Sequence, residues 1–237
     1  MIPSKKREPA YPANFTGLRS LSEQGDRLRT ACHALGLDID ISHIDAIDES
    51  MRGLRIPERA EGIALVLRPN LIEGRSDTYI ASQLLAQVFP KIDNRFEQDQ
   101  DYERSSLFRR DERTKDCIDR IIDMQPGDGD VYALPVQLGC RNAKVSDAEA
   151  IQAFAPNEFG LSLLAGASIL TAHPERIGKP LDLGLSFPGE QYDYEKDGKF
   201  SRTIVAKRNQ DLLLLMHFMP EMEWMNDHGA ATGFVWE

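Results

Sequence analysis

From Phe159 to Ala172 the chain carries no charged residue, and probable strands flank this run on both sides. Phe159, Leu163, Gly166 and Leu170 follow spacings of four, three and four, so in a helix they share one face. Leu161, Leu164, Ala165 and Ile169 cover the other side. The pattern predicts a helix over 157–173, apolar nearly all round and therefore buried. Pro156 suits its first turn, which places Glu158 near the positive end of the helix dipole. Pro174 stops it just after His173. Gly160, Ser162, Gly166, Ala167 and Ser168 let neighbouring backbones come close. The run is shorter than the roughly 20 residues that span a membrane.

The rest of the chain is read in the same way. Residues 1–17, with Pro3, Pro9, Pro12 and Gly17, read as a mobile arm. Ser20 and Glu23 form a capping box that opens a helix running to about Leu35, with Gly36 as its stop. A second helix follows Ser42 and ends near Gly53. Ile63–Leu67 reads as a buried strand before a turn at Arg68-Pro69-Asn70. Ser76-Asp77 starts a helix with Ile80, Leu84, Gln87 and Val88 on one face.

Residues 91–116 are more than half charged, with both signs mixed. They predict a solvated loop and the start of a helix carrying Cys117, Ile118, Ile121 and Ile122. Val131–Leu138 reads as a strand whose Pro135 implies an edge or a bulge. Ser146 with Glu149 is a second capping box. Leu181–Phe187 is strand-like, and Tyr192–Ala206 reads as a hairpin closed by a type I′ turn at Asp197-Gly198. Leu212–Phe218 reads as a central strand and Phe234–Trp236 as the last one. The fold class is therefore α+β: N-terminal helices followed by a mostly antiparallel sheet packed on a buried helix near 157–173. Residues 18–237 read as one domain. The change from helix-rich to mixed patterning near 125 is the one place for a boundary, and no linker marks it.

Composition narrows the function classes. Of 237 residues, 41% are hydrophobic and 28% charged, with a net charge of −10. That balance argues against general binding to nucleic acid or to an anionic membrane, which needs clustered Lys and Arg. It suits a basic protein partner. Cys32, Cys117 and Cys140 are odd in number and far apart, which implies reduced thiols. The N-terminal residues are basic with no apolar stretch after them, so a signal peptide is not expected and the cytoplasm is.

Several motifs invite chemistry. The acidic run Asp193–Gly198 lacks the carboxylate that a calcium loop needs at its twelfth position, which falls on Ile204. Met216, Met219, Met222 and Met225 recur every three residues, but Pro220 interrupts them, and methionine is a common core filler. Gly160-Leu161-Ser162 begins like a nucleophile elbow, but the second glycine is replaced by Leu164 and Ser162 falls inside the predicted helix. No cofactor and no metal site is expected. Neither ILTAHPERI nor HGAATGF carries a recognisable family signature.

The least trivial set is Arg141, Asn157, Glu158, His173 and Glu175. His173, just past a helix C-terminus, is expected to feel the dipole and stay partly protonated, with Glu175 orienting it. About four helical turns, roughly 20 Å, would separate Glu158 from His173, so two polar clusters are expected rather than one. A third cluster, Glu221, Glu223, Trp224, Asn226, Asp227 and His228, reads as a loop that could bind through Trp224 and His228. The leading expectation is a non-catalytic cytoplasmic binding or accessory protein. The alternative is a small-molecule enzyme, a hydrolase using His173 and Glu175. Composition leaves homo-oligomerisation open.

Overall fold

The computed structural model describes residues 11–73, 75–94, 107–180, 182–221 and 227–236. Their helices are α1 (Leu21–Ala34), α2 (Ile44–Met51), α3 (Asp77–Val88), α4 (Glu112–Asp123), α5 (Asp147–Gln152) and α6 (Leu163–Ala172), with a 3-10 turn at Pro174–Ile177. The strands are β1 (Gly62–Leu67), β2 (Ile92–Asn94), β3 (Phe108–Arg110), β4 (Val131–Ala143), β5 (Glu158–Gly160), β6 (Gly184–Tyr192), β7 (Arg202–Asn209), β8 (Leu212–Phe218) and β9 (His228–Phe234). The path through the sheet is β1-β4-β9-β6-β7-β8-β2, with β3 added on β6 and β5 on β9. The β6–β9 and β2–β8 pairs are parallel and the others antiparallel. The fold is thus α+β, with a mostly antiparallel sheet. No helix among the described residues is long and apolar enough to cross a membrane.

Local sequence builds the helices. Ser20–Glu23 and Ser146–Glu149 are complete capping boxes, each closing two otherwise unpaired backbone groups. Gly36 and Gly53 take positive φ past α1 and α2, as helix stops do. Along α3 the buried face is Ile80, Ala81, Leu84 and Leu85, while Gln87 is exposed. One apolar cluster runs from Leu21 to Trp236 and includes residues on either side of 125. Its centre is α6, which packs on α3, α1, β1 and β6. Leu163, Leu164 and Leu170 are buried, as the uncharged run predicts. The small residues serve close contact: a Cβ on Gly166 would lie 2.0 Å from the Phe187 ring.

The start of the central helix differs from expectation. Residues 157–162 are not helical. Glu158–Gly160 form β5, in register with Phe234, Gly233 and Thr232 of β9. The helix begins at Leu163, and the Ser162 hydroxyl caps it by accepting from the Ala165 N–H. Gly160 disfavours helix, and a free edge of β9 supplies a ladder in its place. Pro156 therefore opens no helix, and Glu158 is not at a helix N-terminus.

Three further expectations are corrected. Pro135 lies on an interior strand, not an edge. The β4–β9 ladder begins one residue later, at Val136, so a missing N–H at Pro135 breaks none of it. The β4 bulge falls further on, between Leu138 and Ala143, where the Gly139 and Gly229 backbones meet too closely for a Cβ. Asp197-Gly198 closes no two-residue turn. Residues 193–201 form a wider loop, because the Asp193 carboxylate accepts from the N–H groups of both Asp197 and Gly198. His228 opens β9 in the sheet interior rather than ending a solvated loop. Of the expected arm 1–17, the described part from Tyr11 onward rests on the body through Tyr11 and Phe15.

Candidate functional site

Strand β5 carries Glu158 into the protein, where it is fully buried. A buried carboxylate is costly unless paired. Glu158 has four kinds of partner. Thr232 Oγ1 on β9 donates to Oε1 at 2.9 Å, and the Ala155 N–H donates to Oε2 at 3.1 Å. Arg141 Nη1, within the β4 bulge, lies 3.2 Å from Oε1. Arg59 Nη1, from the loop between α2 and β1, lies 3.3 Å from Oε2. The two arginine side chains are 43% and 34% exposed for Arg59 and Arg141.

Both arginines use only Nη1 on protein acceptors, so Nη2 and Nε of each are unspent among the described residues. Two guanidiniums against one carboxylate leave the locality cationic, on a chain that is acidic as a whole. Beside Arg59 opens a cavity of about 420 Å³, whose lining includes Arg55, Ile56, Glu58, Arg59, Asn157 and Phe234 but not Arg141. Arg113 reaches the same stretch, donating to the carbonyls of Ala155 and Pro156. Of the residues singled out from sequence, Arg141 and Glu158 therefore meet directly and Asn157 lines the adjoining space. The arrangement is suited to holding an anionic group.

His173 and Glu175 form a different cluster, with no partner in common with Glu158. His173 is fully buried after α6. Arg19 Nη1 lies 2.7 Å from its Nδ1, 2.9 Å from the Ala172 carbonyl and 2.5 Å from Glu175 Oε1. A guanidinium only donates, so Nδ1 accepts and the ring proton sits on Nε2, which is buried without a partner among the described residues. Burial, reinforced by the charge of Arg19, pushes the His173 pKa down to about 4. The ring is neutral, not partly protonated as expected from the helix dipole. That dipole contributes at most about 2 kcal/mol and does not overcome burial and a neighbouring cation. Glu175 is held by Arg19, and Nδ1 carries no proton for it to orient.

Trp224 lies outside the described residues. His228 is buried, stacked on Phe218 with ring centroids 5.9 Å apart. Its Nδ1 lies 3.8 Å from Asp227, whose carboxyl is pulled down to about 2 by His228 and Lys207. Asp147 and Ser186 lie near this histidine, but Ser186 donates to Asp147 at 2.6 Å, so the trio makes no serine–histidine relay. Ser162 does sit between a strand and a helix, contrary to the sequence reading. Its hydroxyl is buried as the α6 cap, and the elbow's second glycine is still missing.

One cluster has no counterpart in the sequence reading. The β6 ladder is interrupted between Phe187 and Gln191, at Pro188-Gly189, and the bulge turns Glu190 inward opposite Arg110 of β3. Glu190 is 4% exposed, and one carboxylate oxygen is unpartnered among the described residues. It accepts the N–H of Leu163 at the start of α6, and burial pushes its pKa up to about 7 against the pull of Arg110. Arg110 in turn pairs with Asp77 at the start of α3. The Pro-Gly dipeptide was the only available signal. Among the described residues no group of three or more His, Cys, Asp or Glu is arranged to hold a metal. Comparison of the chain with family models, with curated proteins and with solved structures gives no match in any of the three.

Proposed function

We propose that this protein acts by binding rather than by catalysis, and that the cavity lined by Arg55 and Arg59 holds an anionic oxygen group of its ligand. One observation carries the reading: two part-exposed guanidiniums are aligned on a fully buried carboxylate, and one of them, Arg59, keeps unspent donors on an open cavity that Arg55 also lines. Glu158 sets their positions before a ligand arrives, which lowers the ordering cost of binding. Planar forks of this kind suit carboxylate and phosphate oxygens. Ile56 and Phe234 add apolar lining, which suits an anion attached to an apolar body.

The test titrates the full chain with benzoate and, separately, with inorganic phosphate, following arginine Nε–H signals by NMR. Charge-assisted hydrogen bonds are worth about 1.5–3 kcal/mol, so Arg59→Gln should weaken binding by about ten- to a hundredfold. Preference for benzoate identifies a carboxylate ligand and preference for phosphate a phosphorylated one. Binding of neither, or binding unchanged in Arg59→Gln, overturns the proposal.

A basic protein partner keeps one supporting observation: Asp26, Asp38, Asp40 and Asp45 line a second depression of about 370 Å³ beside α1 and α2. We take the cytoplasm as its compartment, in keeping with three free thiols. The hydrolase alternative would gain ground if turnover of a generic ester were lost in His173→Ala.

A further inference from the structure

Tyr11, Phe15, Leu18 and Leu138 wall a mostly apolar groove of about 320 Å³, in which Glu61 is the only charged side chain among the described residues. Small-molecule pockets begin at about 300 Å³. The walls are held from outside the groove. The Tyr11 ring lies over the Arg176 guanidinium, 4.3 Å from carbon to centroid, and its hydroxyl accepts from the Cys140 N–H at 3.4 Å. Phe15 stands edge-on to Tyr11 at 5.4 Å and to His173 at 6.1 Å. Fixed walls lower the ordering cost of binding.

Glu61 is the group in this groove that still needs a counterpart. It is exposed, and it accepts from the Tyr11 hydroxyl at 2.6 Å and from the Leu138 N–H. Both donors are neutral, and no Lys, Arg or His lies at ion-pair distance from it among the described residues. Arg176 acts on it only from further off. That guanidinium is fully buried, and it spends Nη1 and Nη2 on the carbonyls of Leu183 and Leu138. Burial pushes the Glu61 pKa up, against the pull of Tyr11, Leu138 and Arg176. A carboxylate drawn partly out of water beside apolar walls is best matched by a cation that carries its own apolar stem. The net charge of −10 favours the approach of such a cation.

We propose that this groove is a second binding site, for a free primary alkylamine in its ammonium form. The ammonium sits on Glu61, and an unbranched stem lies along Phe15, Leu18 and Leu138. The groove shares no residue with the Arg55–Arg59 cavity and selects the opposite charge, so either reading can fail alone.

The probe is n-hexylammonium, titrated by NMR into the full chain near neutral pH, beside n-hexanol and n-hexanoate. Affinity should fall in that order. Glu61→Gln keeps the shape and an acceptor for the Tyr11 hydroxyl. It should weaken n-hexylammonium by about ten- to a hundredfold and leave n-hexanol within about twofold. Phe15→Ala, which removes a wall, should weaken both alike. Nα-acetyl-lysine methylamide, with the same ammonium on a peptide, should bind more weakly than n-hexylammonium. Tighter binding of that peptide would assign the groove to a lysine of a protein partner and overturn the proposal. In the parent chain, n-hexylammonium binding no tighter than n-hexanol overturns it without any variant. So does an equal loss of both in Glu61→Gln, or binding that leaves the Tyr11, Phe15 and Leu18 signals unmoved.

Discussion

Replacing Glu190 with Gln tests the buried cluster at the start of α6 most directly. Gln keeps the shape and an acceptor for the Leu163 N–H but cannot ionise. The Glu190 carboxyl is 4% exposed, and burial pushes its pKa from 4.5 to about 7, with Asp77 adding to the rise and Arg110 opposing it. At about 1.4 kcal/mol per pH unit, that gap corresponds to about 3 kcal/mol. Because the folded-state value is the higher one, the folded protein holds a proton that the unfolded chain has released. The stabilisation is therefore complete below about pH 4.5 and is lost as pH rises through about 7.

Urea denaturation of both proteins from pH 4.5 to 8 measures the effect. The variant should match the parent within about 1 kcal/mol at pH 4.5 and exceed it by about 3 kcal/mol at pH 8. His173 acts in the opposite sense. Its folded-state pKa of about 4 lies below 6.5, so its contribution is gained as pH rises between those values. It is present in both proteins and cancels in the difference. A difference that does not change with pH, or a variant weaker than the parent at pH 8, would show that Arg110 compensates the carboxylate fully and would refute the reasoning.

Two other predictions follow from side-chain contacts. Gly166→Ala should destabilise by about 1–3 kcal/mol in urea melts, because the new methyl meets the Phe187 ring at 2.0 Å; a gain of about 1 kcal/mol from helix propensity alone would mean the core yields freely. Arg19→Gln should raise the His173 pKa, read from imidazole carbon-bound proton shifts, while leaving it below 6.5 because burial is the larger cause; an unmoved pKa would mean Arg19 exerts no field on the ring.

The candidate site was half legible in advance. Of Arg141, Asn157 and Glu158, the first and last meet and Asn157 lines the neighbouring cavity, but for a different reason than sequence supplies. Helical periodicity placed Glu158 at a helix terminus. The structure places it on β5, because the edge of β9 was there to pair with. Arg59, which completes the pair of guanidiniums, lies 99 positions away and has no local signature. His173 and Glu175 were read as a pair because they are neighbours in sequence. Arg19, 154 residues from His173, decides what that pair can do.

What the chain determined by itself was local and repetitive: two capping boxes, the glycine stops and the burial of the uncharged run through Leu163–Ala172. Each of these depends on contacts within a few residues or on the net apolarity of a whole segment, and both can be counted along a sequence. Tertiary structure alone decided the strand at Glu158–Gly160, the inward turn of Glu190 and the protonation of His173. Those outcomes depend on which distant edge, cation or carbonyl is brought alongside. The energies of such encounters, several kcal/mol for a buried charge, exceed the local preferences they override, which are about 1 kcal/mol or less per residue.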